Sequence, residues 1–136
     1  MVIIDVNIGW VNKNYCASVD DKVPGAIVVT DKDFDGIKKA VKEAVLFHIE
    51  GMKSDGDDIP EWLLNGDYKF NWVLETSALL RSCEKYTSIA AISRATGINK
   101  YLLSHYASGI KIPSKKQRDR IVDGIHKIGE EFLSVV

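Results

Sequence analysis

The sequence is poor in the residues on which cross-linked and metal-stabilised small proteins depend. It has only two cysteines, Cys16 and Cys83, in 136 residues. Two thiols so far apart match neither a disulfide framework nor the spacing of zinc ligands. We therefore expect free, buried thiols in a reducing cytoplasm, with no metal and no cofactor.

Long apolar runs and targeting signals are also missing. No apolar stretch approaches the roughly 18 residues of a membrane span. The opening residues, MVIIDVNIGW, have no basic region and carry Asp5 early, which is not typical of a signal peptide. The prediction is a cytoplasmic protein that does not bind membranes. Its 46% hydrophobic and 27% charged residues are those of an ordinary globular protein.

Charge is distributed unevenly along the chain. Residues 1–75 contain eight Lys/Arg against fourteen Asp/Glu, a net charge of −6. Residues 76–136 contain ten Lys/Arg against five Asp/Glu, a net charge of +5. This asymmetry predicts two domains, 1–75 and 76–136, that have partners of opposite charge.

The first half has the pattern of a small α+β domain. Residues 2–10, 15–19 and 26–30 read as three strands, and 68–74 reads as a fourth because aromatic and polar residues alternate there. Between them, a stripe of apolar residues predicts a helix from about residue 34 to Met52. Three strands, a helix and a strand indicate one helix packed on a sheet.

Several short motifs in this half resemble the N-terminal domain of HicB antitoxins. They are Tyr15-x-Ala17, Pro24-Gly25, a helix ending in Ala44-x-x-x-His48, and Asp55-Gly56-x-x-Ile59-Pro60. The helix start departs from the family pattern, since Gly36-Ile37 replaces the usual Glu-Ala. The resemblance implies a degraded ribonuclease H-like fold that caps a small basic ribonuclease toxin of the HicA type.

The second half is predicted to be all helical, and its centre has the pattern of a helix-turn-helix. Ser88 can cap one helix and Asn99 the next, and Gly97 stands where the first helix should end in a left-handed conformation. Leu103 and Tyr106 then lie on the inner side of the second helix. This is the arrangement of DNA-binding helix-turn-helix motifs, although a pair of packed helices without a DNA role would give the same local pattern.

The stretch from Gly97 to Pro113 also resembles the recognition half of lambda-repressor-type (XRE-like) domains. The match rests on the turn glycine, the apolar residue and cap that follow it, and the Ser108-Gly109 and Lys111-x-Pro113 elements. Three positions depart from the family. Ile89 replaces a phosphate-binding Gln, Ser93 replaces Ala, and Leu102 replaces a polar residue.

The expected DNA contacts follow from this resemblance and from helical geometry. The resemblance puts Lys100, Tyr101 and His105 at base-edge positions, and Ser104 lies on the same outer side. The remaining predicted contacts are to phosphates, through the start of the first helix and the basic loop. The full predicted set is Ser88, Asn99, Lys100, Tyr101, Ser104, His105, Lys111, Lys115 and Lys116. The alternative for each of these side chains is an ordinary solvated surface position.

An enzyme is the competing class of function for the first half. A metal-dependent nuclease would need clustered carboxylates, and the candidates are Asp5, Glu43 or Glu50, and Asp67 or Glu75. Their spacing matches no catalytic motif, so surface charge explains them better, and we expect no enzyme activity.

The sequence therefore favours an antitoxin that binds its HicA-type toxin and represses its own operon by binding operator DNA as a homodimer or higher homo-oligomer. The alternative is a stand-alone helix-turn-helix regulator whose first domain senses a ligand or oligomerises.

Overall fold

The computed structural model describes all residues from Met1 to Val136. It shows a mixed α+β protein with one four-stranded sheet and six helices. The chain divides into two compact units, Met1–Glu75 and Thr76–Val136. No helix has both the length and the apolar character needed to cross a membrane.

The first unit contains the whole sheet. Its elements in chain order are β1 (Val2–Val11), β2 (Asn14–Val19), β3 (Val28–Asp31), α1 (Phe34–Ser54), α2 (Glu61–Leu64) and β4 (Tyr68–Leu74). The strands are arranged β3-β2-β1-β4, with β1 antiparallel to β2 and parallel to β4. The predicted order of three strands, a helix and a strand is confirmed, whereas the short helix α2 was not predicted.

Local sequence explains the tight connection between β1 and β2. Asn12 and Lys13 both have positive φ angles, 51° and 64°. A two-residue turn of this kind matches the right-handed twist of the strands it joins, and Asn tolerates the left-handed region better than most residues. The third strand begins at Val28, two residues later than expected, although Ile27 before it is buried and its carbonyl accepts a hydrogen bond from Val19.

One face of the sheet is buried beneath α1. Alternate residues of β1 are fully buried, and the stripe of α1 that packs over the sheet supplies the other half of the core. The main core residues are Ile4, Val6, Ile8, Ala17, Ile37, Val41 and Val45. Burying each of the valine and isoleucine side chains among them contributes about 1.5–3 kcal/mol.

His48 lies at the boundary of this core. It falls on the apolar stripe of α1, a position that predicts a core or boundary histidine. The ring is half-buried, with Nε2 hydrogen-bonded to the carbonyl of Pro24. Gly25 has a φ of +91°, and a Cβ there would lie 2.7 Å from the His48 ring. The Pro-Gly pair therefore needs its glycine both for the turn and for this contact.

The second unit is entirely helical. It contains α3 (Thr76–Cys83), α4 (Ile89–Thr96), α5 (Lys100–Ala107) and α6 (Lys115–Leu133). Its core consists of Leu80, Ile92, Ile98, Leu103, Tyr106, Ala107 and Ile121. The sequence predicts the first of these helices from Thr76 to Tyr86. It ends three residues earlier, at Cys83, and Tyr86 and Thr87 both donate to the Cys83 carbonyl in the turn that follows.

One expectation about buried residues needs correction. Cys16 and Cys83 are free but only half-buried, not fully buried. Phe132 and Leu133 continue the apolar pattern of α6 and are 64% and 86% exposed.

Candidate nucleic-acid interface

The turn between α4 and α5 is built by side chains of α4 itself. Gly97 adopts the left-handed conformation, with φ 74° and ψ 7°, and its N–H donates to the Ser93 carbonyl over 2.8 Å. The Ser93 hydroxyl donates to the Ile98 carbonyl over 2.6 Å, and the Thr96 hydroxyl accepts from the Ile98 N–H over 3.1 Å. Ser93, a departure from the family pattern, thus fixes the turn.

Helix α5 starts at an asparagine cap and is anchored on one side by the core. The Asn99 side-chain oxygen accepts from the Tyr101 N–H over 2.8 Å. Leu103 is fully buried and Tyr106 is 7% exposed. Leu102 is half-buried and packs against the same cluster, so the third departure from the family pattern belongs to the inner side of the helix and not to the outer surface.

The opposite side of α5 faces solvent. Lys100, Tyr101, Ser104 and His105 are all exposed, and Tyr101 is 69% exposed. The Lys100 Nζ atom lies 5.4 Å from the centre of the Tyr101 ring, within the range of a cation–π contact. The structure thus groups the four predicted α5 side chains on one polar, partly basic surface, which we call the α5 outer face.

The start of α4 is capped by Ser88. Its hydroxyl accepts from the Ala91 N–H over 3.1 Å and remains exposed. Ile89 is half-buried against the core. Its apolar side chain therefore offers no hydrogen bond to a phosphate. The free backbone N–H groups at the start of the helix still suit an anion.

The three predicted phosphate-binding lysines lie on the loop after α5 and on the first turn of α6. Lys111, Lys115 and Lys116 are all exposed. The Lys115 Nζ atom is 3.2 Å from the Asp119 carboxylate, an exposed pair four residues apart. Such a pair contributes about 0.3–0.5 kcal/mol, so Lys115 can exchange this partner for a phosphate at little cost.

The sequence Ser114-Lys115-Lys116-Gln117 predicts a capping box at the start of α6. The helix begins there, but only half of the box forms. The Ser114 hydroxyl accepts from the Gln117 N–H over 3.2 Å. The Gln117 side chain instead accepts from Arg120 over 3.0 Å. The predicted reciprocal bond from Gln117 to the Ser114 backbone is therefore wrong.

Three arginines that sequence reasoning missed hold this unit together. Arg81 donates from Nε to the Ala107 carbonyl over 3.0 Å, at the C-terminal end of α5. Arg120 donates to the Thr96 carbonyl over 3.1 Å at the end of α4, and Arg118 donates to the Thr76 hydroxyl over 2.9 Å. Arginine near the last carbonyls of a helix is a known capping arrangement, but only the tertiary structure shows which helix each one reaches.

The carboxylates considered for a nuclease site are not gathered. Asp5 lies on the sheet face opposite α1, where its carboxylate accepts from the Asn71 amide over 2.9 Å. Glu43 and Glu50 are on α1 and are exposed. The structure contains no group of three or more His, Cys, Asp or Glu side chains that could hold a metal ion.

Comparison of the chain with protein-family models, with curated protein sequences and with solved structures finds no match. What this protein does must therefore be argued from the geometry of its two units and from the motifs in its sequence.

Proposed function

We propose that this protein is a HicB-like antitoxin that neutralises a small mRNA-cleaving toxin of the HicA type by binding it, and that represses its own operon by binding DNA. The observation that supports this most directly is the α5 outer face. Four exposed side chains able to contact bases or phosphates project from a helix whose other side is locked into the core, on a unit of net charge +5.

In this proposal α5 enters the major groove and reads base edges. Lys100 is placed to donate to the O6 and N7 atoms of guanine, while Tyr101 and His105 contact bases or phosphates. The amides at the start of α4 and the lysines Lys111, Lys115 and Lys116 contact the backbone and orient the unit without reading sequence.

A dimer is part of the proposal because one short helix contacts too few base pairs. Helix-turn-helix repressors solve this by binding two half-sites about one helical turn apart. The exposed end of α6, with Phe132 and Leu133, is an apolar surface suited to a second copy. Oligomerisation through this end would bring two α5 helices to one operator.

The acidic first unit is the proposed toxin-binding part. Its net charge of −6 complements a basic ribonuclease. Exposed carboxylates lie at both ends of α1, in residues 33–35 and 55–58. The sheet order, with a parallel β4 beside β1, supports the ribonuclease H-like architecture that the resemblance implies. The proposed inhibition is stoichiometric blockage of the toxin and not catalysis.

The test combines two measurements on the full-length protein. A nuclease-treated pull-down of the tagged protein from its native cells, read by mass spectrometry, should recover a small basic protein at near-equal stoichiometry. A gel-shift titration should show specific binding to the DNA upstream of its own gene.

The two measurements separate the two activities. If the pull-down recovered the protein alone while the gel shift still showed promoter binding, the antitoxin claim would be removed and the stand-alone regulator favoured. Recovery of the basic partner without any DNA binding would remove the repressor claim. A double charge reversal in the first unit, Asp57→Lys with Asp58→Lys, should weaken partner recovery and leave DNA binding unchanged.

A further inference from the structure

The outer edge of β4 is open along most of its length. β4 is the last strand in the sheet order, and its only strand neighbour is β1. Val2 donates to the Asp67 carbonyl over 3.1 Å and Glu75 donates to the Ile8 carbonyl over 2.8 Å. Given the parallel register between these strands, the backbone N–H and C=O groups of the odd-numbered residues of β4 form the hydrogen bonds to β1. The N–H and C=O groups of Tyr68, Phe70 and Trp72 therefore point away from the sheet.

A groove follows this edge. Its volume is about 420 Å³, and its lining residues are Lys42, Gly66, Tyr68, Lys69, Phe70 and Trp72. The aromatic side chains lie on the face that packs beneath α1, whereas Lys69 projects from the other face of the same strand. The residues that line the groove therefore come from both faces of β4, on either side of the unpaired backbone to which an added strand would bind.

The groove is basic although the unit as a whole is acidic. Lys42 flanks it on the α1 side and Lys69 on the opposite side, and neither forms an ion pair. The Lys38 Nζ atom lies 5.7 Å from the centre of the Trp72 ring at the same edge. Three lysines around one free strand edge favour an occupant with negative charge.

A second copy of this chain does not fit that requirement. Suppose that β4 strands of two copies pair antiparallel through the outward N–H and C=O groups of Tyr68, Phe70 and Trp72. Phe70 of one copy must then lie opposite Phe70 of the other. Lys69 would then lie diagonal to Lys69 of the other copy, about 7–8 Å away. Since both copies also bring Lys42 to the groove, self-pairing would concentrate like charges. Lysine on an edge strand is a common device against such pairing.

The rings along β4 also do not form a platform for nucleic-acid bases. Tyr68 and Phe70 are edge to face, with centres 5.6 Å apart and planes at 81°, and Trp62 and Tyr68 are at 73°. Phe70 and Trp72 lie 5.3 Å apart with their planes at 32°. Bases stack on exposed flat ring faces, and here every ring along β4 already packs against a neighbouring ring. A polypeptide backbone, by contrast, can hydrogen-bond to the outward N–H and C=O groups of β4 without moving these rings.

We propose that the β4 edge binds an acidic, extended segment of another protein, which adds to the sheet as a fifth strand. Backbone groups of Tyr68, Phe70 and Trp72 would supply the hydrogen bonds. Lys42 and Lys69 would select acidic side chains, one on each side of the added strand. This inference does not rest on DNA binding, and its ligand has the opposite charge to the toxin proposed above.

The test uses two seven-residue peptides with blocked ends, TEEVEET and TKKVKKT, whose charged side chains lie on both faces of an extended strand, and the full-length protein labelled with ¹⁵N. We expect the acidic peptide to slow the hydrogen exchange of the Tyr68, Phe70 and Trp72 amides and the basic peptide to have no effect. Lys69→Glu should weaken the binding of the acidic peptide about fivefold or more. Lys69→Glu with Lys42→Glu should abolish its binding.

A control variant and a control ligand keep the test decisive. Lys32→Glu, an exposed charge reversal outside the groove, should leave peptide binding unchanged. All three variants should retain the amide spectrum of the parent. Equal protection by both peptides, protection at other amides, protection of this edge without peptide at high protein concentration, or stronger binding of a single-stranded oligonucleotide at the same amides would each overturn the proposal.

Discussion

Thr96 of α4 packs directly on Gly124 of α6. A Cβ atom at Gly124 would come within 2.3 Å of the Thr96 Cγ2 atom. The threonine cannot turn away easily, because its hydroxyl donates to the Ile92 carbonyl over 2.8 Å and accepts from the Ile98 N–H. The same side chain that fixes the turn before α5 therefore also sets how closely α6 approaches.

Gly124→Ala should destabilise the second unit by about 1–3 kcal/mol, since overpacking outweighs the roughly 1 kcal/mol gain in helix propensity. Gly129→Ala is the matched control in the same helix, because a Cβ there has no neighbour within 4 Å. It should stabilise by about 0.5–1 kcal/mol. Urea denaturation measures the unfolding free energy of both variants. Adding Thr96→Ser, which removes Cγ2 and keeps the hydroxyl, should restore the stability of the Gly124→Ala variant. A destabilised Gly129→Ala variant would contradict this account.

Lys100→Ala should weaken operator binding by about 1–3 kcal/mol and relax specificity at one base position, if Lys100 reads a base. Lys116→Ala should instead weaken binding to all DNA sequences similarly. It should also reduce the slope of log affinity against log salt concentration by about one. Fluorescence anisotropy titrations at several salt concentrations distinguish the two. Lys39→Ala, a change in the first unit, is the control. Equal operator affinity of the Lys100 variant and the parent would remove Lys100 from the interface.

Asn99 was predicted to contact DNA, and the structure gives it a capping role. Asn99→Asp retains the cap, because Asp and Asn are equally good at this position, but places a negative charge beside the α5 outer face. We expect thermal stability within about 0.5 kcal/mol of the parent and clearly weaker DNA binding. Asn99→Ala should cost about 1 kcal/mol of stability. If Asn99→Asp bound DNA as well as the parent, α5 would not lie against phosphates.

Phe132→Ser with Leu133→Ser should reduce self-association and DNA affinity together while the unfolding free energy changes by only about 0.5 kcal/mol, since both side chains are largely exposed. Light scattering gives the mass, and a gel shift gives the affinity. Ile128→Ser is a contrasting variant, because Ile128 packs against the core and its loss should lower stability. An unchanged mass in the double variant would place any oligomer contact elsewhere.

Burial raises the pKa of the Cys83 thiol above its ordinary value of 9.0, and a hydrogen bond with Ser82 partly offsets this. Because the folded state holds this proton more tightly than the unfolded state, the associated stability is present at neutral pH. It is lost as the pH rises through the folded pKa. Denaturation from pH 7 to 10.5 should show a steeper loss of stability for the parent than for Cys83→Ala. Identical pH profiles would contradict the shift.

Regular patterns in the sequence predicted most of the secondary structure. Tyr68–Leu74 was correct at both ends because aromatic and polar residues alternate without interruption. Ser88, Asn99 and Ser114 were correct caps because their chemistry is local. The four residues of α2 are too few to show a period, so that helix was missed.

The rest depends on tertiary structure. No local signal says that Arg81 reaches the end of α5, or that Arg120 reaches the end of α4. Periodicity gave α6 an apolar stripe but did not show which of its residues, such as Phe132 and Leu133, stay largely exposed. On α5, by contrast, helical spacing alone separated the outer side chains from the buried ones.

The parallel pairing of β1 with β4 has a consequence for the order of folding. Val2 pairs with Tyr68, whereas Trp10 pairs with Tyr15 across a two-residue turn. The hairpin can close within microseconds, but the parallel pair must first pay the loop-closure entropy of the whole intervening chain. During synthesis β1 therefore remains without its second neighbour until more than half of the chain has left the ribosome. The hairpin and α1 must hold the nascent sheet together until β4 arrives.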